Sequence, residues 1–242
     1  MARRSLSARN FEPIGNARDN AMAQSYVYAP ETIIKAYTLG LFPMAESHNS
    51  TEIRFYDPDM RGLIPLDNSL GNGLHIPRRL QRRVRQDLYD ISIDQDFAAV
   101  ITACAARSST RTDTWINKDI RQLYIALHKM GFAHSVEVWH QGDLVGGLYG
   151  VRLRAAFFGE SMFSRQTDAS KIALVHLMAR LYCGGFQLLD AQFSNEHLKQ
   201  FGVIDVPRIE FQRRLADALA AEADLHLAAP SLPMVKKMLA AG

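Results

Sequence analysis

Cysteine is scarce in this chain, with two among 242 residues, Cys104 and Cys183. Each sits in an apolar helical pattern, so they read as buried thiols in a reducing compartment rather than as a disulfide framework. Long apolar runs are missing too. No stretch approaches the roughly 18–20 residues a membrane span needs, and Ile172 to Leu181 is interrupted by His176 and Arg180. The first ten residues are rich in Arg and Ser but lack the apolar core of a signal peptide, and Glu12 and Asp19 argue against a transit peptide. A cytoplasmic monomer that binds no membrane is expected. Repeats and low-complexity tracts are absent. So are a nucleophile elbow, a Walker loop and a dinucleotide fingerprint, while His134, His140, His176 and His197 stand at no metal-ligand spacing. Neither a metal nor a cofactor is expected.

What remains is ordinary globular material, 48% hydrophobic and 22% charged, long enough for one large domain or two small ones. Residues 1–24 read as a loose leader. Pro30 opens a short helix (Ile33, Ile34, Tyr37) that Gly40 can stop. Leu41-Phe-Pro-Met44 follows, then polar loops with Asp57-Pro58 and Pro65, so 25–66 forms a small, loop-rich N-terminal unit. A basic helix is expected over 77–88, with Leu80, Val84 and Leu88 on one face and Arg78, Arg79, Arg82, Arg83 and Arg85 on the other. Helices capped by Asp94 or Asp96 and by Asn117 come next. From Ala133 the period changes to that of strands, over 133–140, 144–152 and 154–158. Thr167 or Asp168 caps a long helix through Tyr182, a strand runs from Phe186 to Phe193, and a last helix follows Pro207. Helices, a hairpin-rich sheet and a β-α-β unit make 67–242 an α+β domain.

Glu160 is expected just past one strand end, and Asp190 and Gln192 near the end of the next. Residues i and i+2 of a strand share a face, so Asp190 and Gln192 can converge, with Glu160 joining them if the strands are neighbours. Two readings are open: Asp190 and Gln192 satisfy loop backbone at a strand end, or they belong to a reaction centre, since carboxylates beside Leu188 and Leu189 are costly unless paired or used. The helix start after Ser164 offers an anion site with Lys171 in its first turns. Phe163 to Lys171 contains no glycine, however, which disfavours the close pyrophosphate approach of a coenzyme A transferase. Five arginines with no acid before Asp87 repel one another at i, i+4 and suit a phosphate backbone. No RNP-type motif accompanies them, so recognition by shape is expected.

These features occur together in a known pattern. Gly40-Leu-Phe-Pro-Met44, Tyr56-Asp-Pro-Asp-Met-Arg61, Thr114-Trp-Ile116, Leu127-His128, Ala133-His-Ser-Val-Glu137, Leu144 to Gly150, Gly159-Glu-Ser-Met-Phe-Ser164, Ala169-Ser-Lys171 and Leu189-Asp-Ala-Gln192 resemble the leucyl/phenylalanyl-tRNA–protein transferase family. The resemblance implies a small N-terminal α/β domain followed by an acetyltransferase-like (GNAT) domain. It implies transfer of Leu or Phe, less readily Met, from aminoacyl-tRNA to proteins beginning with Arg or Lys, creating N-degrons for the Clp protease adaptor. It places the donor side chain among Trp115, Leu148, Phe157 and Met162, with Met44 where the family often has Trp. Arg78, Arg82 and Arg85, with Lys171, would contact tRNA. Because Asn195 to Gly202 departs from the family's usual run, the donor is open, and the same reaction with a different donor or acceptor amino acid is an alternative. Two further alternatives are a coenzyme A-dependent N-acyltransferase and a non-catalytic RNA-binding module.

An acceptor α-amine has an ordinary pKa of about 7.7–8.0, so the protein's task is positioning and charge stabilisation. Asp190, directly or through Gln192, is expected to orient the amine and take its proton. Glu160 is expected to pair with the acceptor's basic side chain, and the tRNA 2′-hydroxyl can share the proton transfer.

Overall fold

The computed structural model describes residues 5–6, 28–71, 73–107, 112–228 and 231–241. Of the leader over 1–24, only Ser5–Leu6 (β1) falls within the described residues. Helix α1 (Pro30–Thr38) carries proline at its first position, where a missing N–H is no loss. Gly40 ends it at φ +80°, which returns the Leu41 N–H to Ala36 O at 2.9 Å. The stretch that reads as loops contains β2 (Phe42–Ala45), β3 (Ile53–Tyr56) and β4 (Met60–Leu63). Strands of four residues between Pro43, Asp57-Pro58 and Pro65 are too short for their period to outweigh the turn residues. β1, β3 and β2 make a three-stranded antiparallel sheet. β4 lies in the larger sheet instead, so by strand pairing the small unit stops at Tyr56.

The basic helix is α2 (Arg78–Arg85), shorter than 77–88, with Pro77 at its cap position. Asp87 takes φ +53°, which turns the chain away before Leu88. Leu88 is therefore 52% exposed, while Leu80 and Val84 are buried. β5 (Asp90–Ile93) precedes α3 (Phe97–Ala105), where the Asp96 carboxylate accepts the Ala99 N–H at 2.9 Å. Asn117 caps α4 (Lys118–Lys129) through the Ile120 N–H at 2.8 Å. Then come β6 (Ala133–His140), β7 (Asp143–Leu153), β8 (Ala156–Ser164), α5 (Ala169–Cys183), β9 (Leu188–Gln192), α6 (Glu196–Lys199), β10 (Ile204–Pro207), α7 (Arg208–Ala220) and α8 (Ser231–Ala241). Strand β8 continues through Glu160 to Ser164, because Met162, Phe163 and Ser164 pair with Leu148, Gly147 and Gly146.

The seven-stranded sheet runs β10-β4-β9-β8-β7-β6-β5. Every neighbouring pair is antiparallel except β8–β9, the parallel pair that α5 connects. This is a mixed α+β architecture. Alternation sends neighbouring residues to opposite faces. Phe158 and Leu188 join a cluster with α1, α3, α4 and α7, whereas Phe157 and Leu189 join one with α2, α5 and α8. Cys104 belongs to the first cluster and Cys183 packs against the second, both as free thiols.

Helix α5 is buried on nearly every side, as a helix between a sheet and another helix must be. Its polar interruptions have partners. His176 Nδ1 meets Ser231 Oγ at 2.6 Å, and Arg180 donates to Leu225 O and Leu227 O at 3.0 and 3.1 Å. A Cβ on Gly146 would stand 2.4 Å from Ala169 Cβ, so glycine there lets the first turn of α5 rest on β7. Neither Thr167 nor Asp168 caps this helix with its side chain; Asp168 has φ +65°. Ser164 Oγ accepts the Ser170 N–H at 2.8 Å instead.

Candidate active site

β8 and β9 run in register from Ala156↔Leu188 to Phe158↔Asp190, and their pairing stops there. Across β7, Gly150 faces Gly159 but Tyr149 faces Ser161, so Glu160 is the extra residue of a β-bulge. Gly150 is needed opposite it, because a Cβ would lie 2.3 Å from both Phe157 Cε1 and Phe158 O. β9 ends as Gln192 takes φ +57°. Bulge and strand end open a gap between two neighbouring strands, and Glu160, Asp190 and Gln192 all line it. The convergence expected from the sequence is present, inside a sheet rather than beyond it.

The two carboxylates have different surroundings. Asp190 is 0% exposed and its partner Arg61, from β4, is 1% exposed. Arg61 Nε donates to Oδ1 and Oδ2 at 2.9 and 3.1 Å, Nη2 donates to Oδ2 at 2.6 Å, and the Gln192 N–H donates to Oδ1 at 2.8 Å. The guanidinium lies 4.6 and 4.3 Å from the ring centres of Phe42 and Phe211, and its Nη1 donates to Gly40 O at 2.8 Å. Both carboxylate oxygens of Asp190 are thus engaged by the guanidinium or by backbone.

Glu160 makes no ion pair among the described residues. Tyr37 OH donates to Oε1 at 2.6 Å, Tyr124 OH to Oε2 at 3.0 Å, and Gln192 Nε2 approaches Oε1 at 3.3 Å. The two phenol oxygens are themselves 2.5 Å apart. Burial pushes the Glu160 carboxyl up to about 7, with the Asp190 charge adding to it, against the tyrosine bonds and Arg61. Burial, then the Glu160 charge, holds both phenols well above their ordinary value. Ionised Glu160 leaves two phenol protons for three close oxygen contacts. Protonated Glu160 supplies the third, so the geometry favours a proton arriving there.

The cavity beside this trio measures about 250 Å³. Its apolar wall comes from Leu148, Met162, Leu174, Leu177 and Leu189, with Asn195 and His197 at its polar side. Of the residues expected to hold a side chain, Leu148 and Met162 are there, and Phe157 is buried in the same cluster behind them. Met44 and Trp115 pack against the opposite cluster, and Trp115 lines a separate hollow with Glu46, Asp113 and Thr114. Sequence reasoning passed over Tyr37, Tyr124 and Arg61. The tyrosines sit on apolar helix stripes and read as core, and Arg61 lies in a segment that reads as loop. Leu174 and Leu177, three apart on α5, could have been found from that spacing next to the β9 carboxylate.

Arg78, Arg79, Arg82 and Arg85 are exposed on α2. Arg83 turns inward and donates to Tyr89 OH at 3.1 Å. Arg79 lies 3.8 Å from Asp168, which also binds Lys171 at 3.0 Å. Burial, then the Lys171 charge, lowers the pKa of His197, which lines the cavity. Arg79 of α2 and Lys171 of α5 thus meet at Asp168.

Metal-ligating side chains do gather elsewhere among the described residues, at Asp94, His134 and His226. His134 Nδ1 is 2.7 Å from Asp94 and Nε2 is 3.1 Å from Gly131 O, so both ring nitrogens are engaged within the protein.

Residues 70–216 match the family described as leucyl/phenylalanyl-tRNA protein transferase, and residues 28–59 match the N-terminal domain of that family. A protein of Phenylobacterium zucineum (strain HLK1) named leucyl/phenylalanyl-tRNA–protein transferase is 55% identical over 201 residues, 83% of this chain and 89% of the relative. Its namesake from Rhodopseudomonas palustris (strain TIE-1) is 52% identical over 207 residues, covering 86% and 89%. The one from Maricaulis maris (strain MCS10) is 53% identical over 197 residues, covering 81% and 89%. The chain belongs to the leucyl/phenylalanyl-tRNA–protein transferase family and is an aminoacyltransferase.

Proposed function

We propose that the chain moves leucine or phenylalanine, and less readily methionine, from aminoacyl-tRNA to the α-amine of proteins beginning with Arg or Lys. The product would carry an N-degron for the Clp protease adaptor. The observation that carries this reading is Glu160, a carboxyl poised near neutrality, opening onto an apolar cavity. The parallel β8–β9 pair that parts at a bulge, with α5 packed beneath, supports an acetyltransferase-like (GNAT) architecture. The start of α5 is already capped by Ser164, which supports a tRNA donor over coenzyme A.

In this reading the donor side chain enters between Leu148, Met162 and Leu177, leaving the ester carbonyl at the mouth. About 250 Å³ is below the roughly 300–1,000 Å³ of a drug-sized ligand's pocket, which suits one amino-acid side chain. Arg78, Arg82, Arg85 and Lys171 hold the tRNA backbone. Glu160, which makes no ion pair among the described residues, attracts the acceptor's N-terminal residue and receives the proton as the amine attacks. The new C–N bond forms as the ester C–O bond breaks, and Glu160 hands the amine's proton on to the tRNA 3′ or 2′ oxygen as it leaves, which returns the carboxylate to its starting state. Asp190, paired with Arg61, holds Gln192 in place through its backbone N–H. The assignments expected for the two carboxylates are thus redistributed, with proton acceptance at Glu160.

Incubation with labelled Leu-, Phe-, Met- and Arg-tRNA and an Arg-initiated peptide tests the reaction: Leu and Phe label should reach the peptide, and transfer of Arg alone would refute it. Leu177→Phe narrows the cavity and should reduce Phe transfer about tenfold more than Leu transfer, read by direct competition. Arg78→Ala and Arg82→Ala should each weaken tRNA binding and reduce the log-affinity against log-salt slope by about 1. Filter binding across salt concentrations checks this.

A further inference from the structure

We propose that Arg61 is a positioning residue of the transfer reaction, the link that holds the α1 end carrying Tyr37 and the β9 end carrying Gln192 in one register around Glu160. The proposal rests on the reading of Glu160 as the reaction centre.

Three observations point to it. First, Arg61 touches both ends at once. Nη1 holds Gly40 O, three residues after Tyr37, while Nε and Nη2 hold Asp190, two residues before Gln192. Second, Tyr37 and Gln192 are two of the three side chains that hydrogen-bond Glu160 among the described residues, at 2.6 and 3.3 Å. A displacement of either end changes the geometry at the reacting carboxyl. Third, the guanidinium is confined between Phe42 and Phe211 and hidden from solvent, which a planar, multi-donor group tolerates and an ammonium does not reproduce. A buried ion pair is seldom needed for stability alone, since apolar residues of similar volume can replace one without loss. Asp190 and Arg61 hold a strand end and a helix end that both reach Glu160, through Gln192 and Tyr37.

The test is steady-state and single-turnover kinetics on Arg61→Lys and on the double variant Arg61→Met/Asp190→Leu. The double variant removes the pair without stranding a charge, and circular dichroism with thermal melting confirms that it folds. Arg61→Lys cannot bind Gly40 and both Asp190 oxygens together. A displacement of about 1 Å can cost on the order of 10²-fold in rate. Both variants should lose roughly that in kcat, with KM for aminoacyl-tRNA within a few-fold because the α2 surface is untouched. Glu160 faces Tyr37 on α1, Tyr124 on α4, Asp190 on β9 and Arg61 on β4. Loosening the Tyr37 bond removes one that lowers the Glu160 pKa, so the acid-limb inflection of the rate should move upward in Arg61→Lys. A merely structural residue would scale activity with the folded fraction and leave kcat per folded molecule and the inflection alone. A folded double variant or Arg61→Lys with kcat within twofold of wild type overturns the proposal. Glu160→Gln is measured in parallel. If it too is fully active, the site reading has failed; if it is inactive while both Arg61 variants are active, only the role of Arg61 has failed.

Discussion

Glu160→Gln is expected to lower the single-turnover rate of peptide-bond formation by about 10²–10⁴-fold, the range for loss of a positioned proton acceptor. The same change should make the folded protein more stable above neutral pH. The two effects share one cause. Burial raises the Glu160 pKa from its ordinary 4.5 to about 7. A folded-state pKa above the unfolded one gives stability that is fully present below the unfolded value and is lost as pH rises through the folded one. The wild type should therefore lose stability between about pH 4.5 and 7. The gap, at about 1.36 kcal/mol per pH unit, amounts to about 3 kcal/mol. Glutamine does not titrate, and its amide supplies a donor to the tyrosines as the protonated carboxyl does. Urea unfolding of both proteins at acid and alkaline pH reads the difference. A variant that is no more stable than wild type on the alkaline side would show that the carboxylate is not strained.

Asp190→Ala should destabilise the protein by about 3–5 kcal/mol, because it leaves the Arg61 guanidinium buried without its anion. The rings of Phe42 and Phe211 and the carbonyl of Gly40 remain, but none carries a full negative charge. Asp190→Asn keeps the shape and an acceptor for the guanidinium, so its cost should be smaller. The order Ala worse than Asn, with the Met/Leu double replacement nearest to wild type, separates a stranded charge from lost volume. Denaturant midpoints at constant slope give all three values. Equal costs for Ala and for the double variant would mean that packing at this position outweighs charge.

Strong periodic signals carried across from sequence to structure. The proline start and glycine stop of α1, the Asn117 cap of α4, the Ala133–Leu153 hairpin and the β8-α5-β9 unit all follow from local rules that tertiary contacts reinforce. The short strands β2, β3 and β4 were hidden because four residues give hardly two repeats of the pleat and proline lies within or beside them. Asn195-Glu-His-Leu could have signalled α6, since Asn195 Oδ1 accepts the Leu198 N–H at 2.9 Å. At the site, Asp190 and Gln192 were legible from their strand positions. The division of labour proposed for them with Glu160 was not. It depends on Arg61, 129 positions away, and on Tyr37 and Tyr124, whose apolar rings mark them as core while their hydroxyls reach through it. Long-range pairing of this kind leaves no periodic trace. Met44 and Trp115, large apolar residues in segments that match the family, pack against the cluster of α1 and α4 rather than lining the Glu160 cavity.

The most direct test of Glu160 as the reaction centre is the pH dependence of single-turnover transfer from saturating Phe-tRNA to an Arg-initiated peptide, for wild type and Glu160→Gln side by side. Wild type should show a rate that rises with pH through an inflection near 7, set by Glu160. Glu160→Gln should be slower throughout, its remaining inflection moved toward the roughly 7.7–8.0 of a free α-amine. Equal rates with the same inflection in both proteins would contradict the assignment of the proton to Glu160.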